Sequence, residues 1–206
     1  MFEQPLSQIL APLTSLVLMS AVVMGSPGPS TVSVTAVGAA FGWRRALPYA
    51  FGLMAGTTAV LVAVASGFFT LLLSVPHAEP IVTAASAIYM LYLAWRIAAA
   101  PPLGEAETAT TAPGLWAGLL LALANPKAYL AIAAVFAGTN LFASPAADTA
   151  AKLLVLTAMI VLIHLCWLVA GASFAGALRD PVRSRIANIV FALALVVSVV
   201  LPLLPG

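Results

Sequence analysis

Six apolar stretches, each long enough to cross a bilayer, occupy most of this 206-residue chain. They run over residues 12–41, 46–73, 81–99, 115–137, 152–178 and 184–204. A hydrocarbon core about 30 Å thick takes about 20 helical residues to cross, so each stretch suffices. Within lipid every backbone N–H and C=O must be satisfied inside the protein, which leaves helices or closed barrels. The alternation that a barrel needs is missing, and Ala, Leu and Val dominate. The expected fold is an all-α integral membrane protein of six transmembrane helices. Charge agrees with this, since only 7% of residues are Asp, Glu, Lys or Arg, against about a quarter in a soluble domain.

Several function classes drop out at once. The net charge is +2, and the arginines are scattered singly and in short clusters between apolar runs. That is not a nucleic-acid footprint. Cys166 is the only cysteine, which excludes an intrachain disulfide, a dithiol redox couple and a cysteine-cluster metal site. No nucleophile–base–acid set lies inside the stretches, so neither catalytic residues nor an enzyme is expected, and no cofactor. The N-terminus, Met1-Phe2-Glu3-Gln4-Pro5, lacks the basic start of a cleaved signal peptide. The first stretch is therefore expected to stay in the mature protein.

With short connections, positive charge sets orientation. Arg44, Arg45, Arg96, Arg179, Arg183 and Arg185 fall on one side, and Lys152 alone on the other. This bias predicts a multi-pass protein with the arginine-bearing connections in the cytoplasm and both termini outside. Trp43, Trp95 and Trp116 fall at the same cytoplasmic ends, as an interfacial belt would. The polar, proline-containing segment 100–113 divides the chain into residues 1–99 and 114–206, each with three stretches. An odd number per half makes the second half enter the membrane in the opposite sense, the arithmetic of two inverted three-helix repeats.

The first helix of each half carries a break near its midpoint: Gly25-Ser26-Pro27-Gly28-Pro29-Ser30 and Asn125-Pro126-Lys127. Proline removes a backbone donor and clashes with the preceding turn, and glycine permits unusual dihedrals. Paired interruptions of this kind point to a transporter's binding site at mid-membrane depth. Proline favours the first helical position, and Ser or Asn the cap before it. Each break therefore starts a half-helix whose free N–H groups and dipole attract anions. Lys127 adds a positive charge, and the expected occupant is a carboxylate. The substrate-binding set is Ser26, Pro27, Gly28, Pro29, Ser30, Asn125, Pro126 and Lys127. Carbonyls freed near Gly25 and Ala124 are expected to accept the substrate's ammonium group. The competing reading is that both breaks merely kink helices for packing, with Lys127 tied to carbonyls at a helix end.

A lysine at the bilayer centre costs about 3 kcal/mol on insertion scales, and no Asp or Glu falls inside the six stretches to pair with it. Lys127 is thus a carboxylate ligand or a proton-coupling group. His164 and Trp167, three apart, share a face of the fifth helix. His164 either relays protons or donates to a neighbouring helix. Tyr89 and Tyr92 form a similar pair in the third, as pocket lining or as packing. Gly38/Gly42 and Gly52/Gly56 have small-xxx-small spacing and are expected to pack helices closely. A metal-ion carrier is disfavoured because His164 stands alone, with no membrane carboxylate to complete a donor set, so no metal site is expected. A structural membrane protein would leave Lys127 without a purpose.

The stretch from Gly25 to Ser30 through Gly42-Trp43-Arg44-Arg45 resembles the opening signature of the LysE/RhtB amino-acid exporter family. So do Tyr89-Met-Leu-Tyr-Leu-Ala-Trp-Arg96 and Gly118-Leu-Leu-Leu-Ala-Leu-Ala-Asn-Pro-Lys127, in family order along nearly the whole chain. Ser30 stands where the family more often has asparagine, and Ala137-Gly138 replaces its usual proline-aromatic stretch. The resemblance implies a carrier of the bacterial cytoplasmic (inner) membrane. It would export amino acids or close derivatives, driven by the ion gradient, through a core of Pro27, Gly28, Pro29, Asn125, Pro126 and Lys127. The implied partners are a small-molecule substrate and the lipid bilayer, with no nucleic acid and a homo-oligomer left open.

Overall fold

The structure is a computed structural model that describes residues 6–68, 74, 78–99, 111–173 and 180–200. Residues 100–110 of the mid-chain segment, the end of the second apolar stretch, Arg179 and both chain ends lie outside the described residues, as do the side chains of Tyr89 and Arg96.

Every regular element among the described residues is a helix. The first, α1 (Leu6–Met19), runs on through a π-helical turn at Ser20–Met24, where Gly25 N–H reaches back five residues to Ser20 O at 3.2 Å. Gly25–Gly28 then interrupt the chain. Helix α2 (Pro29–Ala65) starts with Pro29 at its first position, where a missing N–H is harmless. Gly28 is extended, and Thr31 Oγ1 accepts its N–H at 2.9 Å in a capping box. Helices α3 (Ala78–Ala98), α4 (Leu115–Leu123), α5 (Pro126–Ala137), α6 (Pro145–Ser173) and α7 (Pro181–Val200) follow.

Two of these helices, α2 and α6, are long and apolar enough to cross a membrane alone. The pair α4 and α5, bent by 63° at the second break, passes the same test jointly. The bend has a local cause. Asn125 leaves the helical region at φ −88°, ψ 101°, and Pro126 restarts the helix.

Helix α2 forms the middle of the bundle, packed against α6 and α4, while α3 lies against α7. Glycines permit the two closest crossings. A Cβ on Gly118 would fall 2.1 Å from Tyr49 O of α2, and one on Gly171 would fall 2.1 Å from Thr35 O. Gly38, Gly52 and Gly56 lie against the same partner backbones, as their spacing suggests. Gly42 does something else. A Cβ added there would meet no other part of the protein within 4 Å, and its φ of 75° and ψ of 160° bend α2 between the first and second apolar stretches. It is a hinge in the chain path, available to glycine because it has no Cβ.

The fifth stretch also differs from its expected bounds. Helix α6 begins at Pro145, seven residues before Lys152. Its ammonium lies 2.7 Å from Asp148 Oδ2, one turn earlier. Asp148, outside the expected stretch but on the same helix, thus engages a different lysine from the one at the break. At the other end, Arg185 of α7 donates to Ala98 O, the last carbonyl region of α3, at 3.1 Å.

Candidate functional site

The two breaks, about 100 residues apart in sequence, meet in space. Lys127, in the first turn of α5, sends its ammonium into the first break. It donates to Ser26 O at 3.0 Å, Ser26 Oγ at 2.8 Å and Pro27 O at 2.6 Å. These are three bonds from a group with three donors. All three acceptors are neutral, and no salt bridge to Lys127 occurs among the described residues.

The local sequence explains why those carbonyls are free. A helix would normally use Ser26 O and Pro27 O four residues on, but the extended Gly28 and the proline at position 29 start a new helix instead. Ser26 adds its own hydroxyl, which also donates to Val23 O at 2.8 Å. Gly28 is the residue beneath the lysine. A Cβ there would stand 2.7 Å from both Lys127 Cδ and Nζ. The break thus receives the lysine side chain along its backbone because residue 28 has no side chain.

A second side chain of this break also reaches the first. Asn125 Nδ2 donates to Ser30 Oγ at 2.9 Å, both side chains being buried. A third element closes the group, as Trp167 of α6 donates its indole N–H to Gly25 O at 3.1 Å. Trp167 O in turn accepts from Thr35 Oγ1 at 3.3 Å.

Beside this junction is a cavity of about 430 Å³, counting its open mouth. Ser26, Gly28, Ser30, Asn125, Lys127 and His164 line it, together with Thr31, Thr57 and apolar side chains of α5 and α6. His164 turns Nδ1 to Ile160 O of its own helix at 2.7 Å, instead of reaching a neighbouring helix. Pro27 is exposed, while Pro29 is buried under the start of α2. Pro126 is exposed at the start of α5. Tyr92 lies apart, about half exposed on α3, with its ring 6.2 Å from that of Trp95. Among the described residues no three His, Cys, Asp or Glu side chains gather into a metal-binding set.

Sequence reasoning left out Thr31 and Thr57, which line the cavity, and the Ser33–Tyr49 bond, in which Tyr49 donates to Ser33 Oγ at 2.9 Å. Thr31 had a readable signal. Gly-Pro-Ser-Thr places a hydroxyl at the third helical position, where it can bond back to the cap. Thr57 had none, since a threonine in an apolar helix ordinarily bonds its own backbone.

The sequence profile described as LysE type translocator matches residues 21–203. Among relatives, the cysteine/O-acetylserine efflux protein of Escherichia coli O1:K1 / APEC is 30% identical over 172 residues, covering 83% of this chain and 87% of that protein. The proteins of the same description from Salmonella typhimurium (strain LT2) and Salmonella paratyphi A are 29% identical over 177 residues and 28% over 176, with the same coverage. No solved structure matches the chain.

Proposed function

This chain belongs to the LysE type translocator family, and on that footing we propose that it exports small amino acids or close derivatives across the bacterial cytoplasmic membrane, coupled to the proton gradient. Its relatives' description, cysteine and O-acetylserine efflux, supports compounds of that size and class. The observation that carries the reading is the ammonium of Lys127 reaching from one helix break into the other, at the edge of a cavity.

Chemically, the arrangement is a cation on loan. A hydrogen bond between an ionised group and a neutral acceptor is weaker than one between two opposite charges. An arriving carboxylate can therefore draw the ammonium of Lys127 away from Ser26 and Pro27, and those oxygens take it back on release. The start of α5, the positive end of its dipole, adds favourable potential for the same anion. Ser26, Pro27, Gly28, Pro29, Ser30, Asn125, Pro126 and Lys127 make up the substrate-binding set, with Lys127 holding this end of the substrate.

Alternating access follows from six helices in two inverted halves, residues 1–99 and 114–206, joined by the 100–113 segment. The pairing of elements supports this reading. The first broken helix lies against α6, with Gly38 and Gly171 at the crossing, and the second broken helix lies against the latter part of α2, with Gly118 and Gly52 there. Each half thus packs its broken helix on the other half's second helix, as a pseudo-two-fold axis requires. The arginine bias favours both termini outside.

Proteoliposomes loaded with labelled cysteine or O-acetylserine test the proposal. Efflux should follow an imposed proton gradient, and should fall in Lys127→Ala and in Pro27→Ala/Pro29→Ala. Unchanged transport in both variants would remove these residues from the site.

A further inference from the structure

The cavity wall holds three buried side-chain atoms that have no hydrogen-bond partner among the described residues: Thr57 Oγ1, Asn125 Oδ1 and His164 Nε2. They come from α2, the α4–α5 break and α6, and their residues are 5%, 3% and 4% exposed. Burying one such atom unpaired forfeits its hydration with nothing in return, and native interiors rarely carry them. Three converging on one cavity call for a ligand.

Their chemistry is one-sided. Asn125 anchors its amide NH2 on Ser30 Oγ through one of its two N–H groups, and the atom left with no partner is Oδ1, an acceptor only. The partner of His164 Nδ1 is a carbonyl, which can only accept. That nitrogen therefore carries the proton, and in the neutral ring Nε2 is an acceptor. Lys127 lines the same cavity and no Asp or Glu does, so a second cation on the imidazole would be unopposed. Thr57 Oγ1 can accept as well as donate. The wall thus offers acceptors from three helices to a group rich in N–H donors.

We infer that Asn125, His164 and Thr57 form a subsite for the substrate's ammonium group, next to the Lys127 end that takes the carboxylate. The inference rests on the cavity being the substrate chamber, as proposed above. Asn125 and Lys127 flank the start of one half-helix, so the two subsites adjoin, as the two charged groups on one α-carbon require. Among the break carbonyls, the obvious alternative acceptors, Gly25 O already accepts from Trp167. Ser26 O and Pro27 O must take Lys127 back on release, whereas the three orphaned atoms have no other partner among the described residues.

The test uses probe pairs that share carboxylate and side chain and differ only in the amine. Cysteine is set against 3-sulfanylpropanoate, and O-acetylserine against 3-acetoxypropanoate, in proteoliposome counterflow. Wild type should prefer the amine-bearing member by about tenfold or more. In His164→Leu and in Thr57→Val the preference should shrink to about twofold, with movement of the deaminated compound unchanged, and His164→Gln should recover part of it. Thr57→Val is nearly isosteric and decides the matter if His164→Leu does not fold. Equal movement of both members in wild type would overturn the subsite while leaving a carboxylate carrier standing. A preference untouched by the variants would overturn it too. Movement of none of the four compounds would take the transport reading down with it.

Discussion

Two lysines sit inside the helical body, and they are held in opposite ways. Lys152 is 3% exposed and ion-paired with Asp148 at 2.7 Å. Its ammonium also lies 4.9 Å from the ring centre of Phe136 and 3.4 Å from Asn140 Oδ1. Asp148 meanwhile accepts the backbone N–H groups of Leu141 and Phe142, so the pair fastens the turn between α5 and α6. Lys127 has only neutral oxygens and an open cavity at its side. One charge is cancelled in place and closed off. The other is held by groups that a carboxylate can outbid, which is what a site that must bind and release demands.

The contrast is broken most forcefully at Lys152. Removing one partner of a buried pair leaves an unmatched charge, with losses of about 3–5 kcal/mol. Lys152→Ala should therefore lower unfolding stability in detergent by about that much, read by chemical or thermal denaturation. The fraction that folds should transport at close to the wild-type rate. A stable, inactive Lys152→Ala would show that this pair, too, belongs to the transport cycle.

The converse holds at Lys127. Loss of a charge-assisted bond of about 1.5–3 kcal/mol corresponds to about a 10- to 150-fold fall in the efflux rate at low substrate. Lys127→Met should show that fall with little change in stability, because its present partners are neutral and border an open cavity. Comparable losses of stability at both lysines would erase the distinction between them.

What was legible in the sequence followed from local chemistry. Clustered proline and glycine, or an Asn-Pro pair inside an apolar run, announce a break, so Gly25–Ser30 and Asn125–Lys127 stood out without any knowledge of their surroundings, although Pro12 and Pro48 lie within helices. The partner of Lys152 was missed because hydropathy begins the fifth stretch where polar residues end, and that rule discards Asp148 along with the loop. The pair did leave a trace in its spacing, Asp four residues before Lys just after Pro145, the register of an ion pair along a helix. Gly42 was read as packing from spacing alone, whereas its dihedrals depend on how the chain turns back on itself. The grip of Trp167 on Gly25 spans 142 residues, and no periodicity within a single helix encodes such a contact.

The smallest expected effect separates two glycines that look alike on a list of tight contacts. At Gly118 an added Cβ would strike backbone, Tyr49 O at 2.1 Å. Two helices must then part, at about 1–3 kcal/mol for overpacking of this kind. At Gly28 the obstacle is the flexible end of Lys127, and φ of −173° is open to any residue. Gly28→Ala should therefore leave stability within about 0.5 kcal/mol, as for substitutions away from packed features. It should nonetheless push the ammonium from its cradle of Ser26 and Pro27 oxygens. Transport should then fall by about three- to tenfold, less than in Lys127→Met because the charge is shifted, not lost. If Gly28→Ala instead destabilised the protein as Gly118→Ala does, residue 28 would be a packing position and the break would be rigid. If it changed neither property, the seat of Lys127 on the first break would have no bearing on transport, and the difference between the two lysines would rest on Lys152 alone.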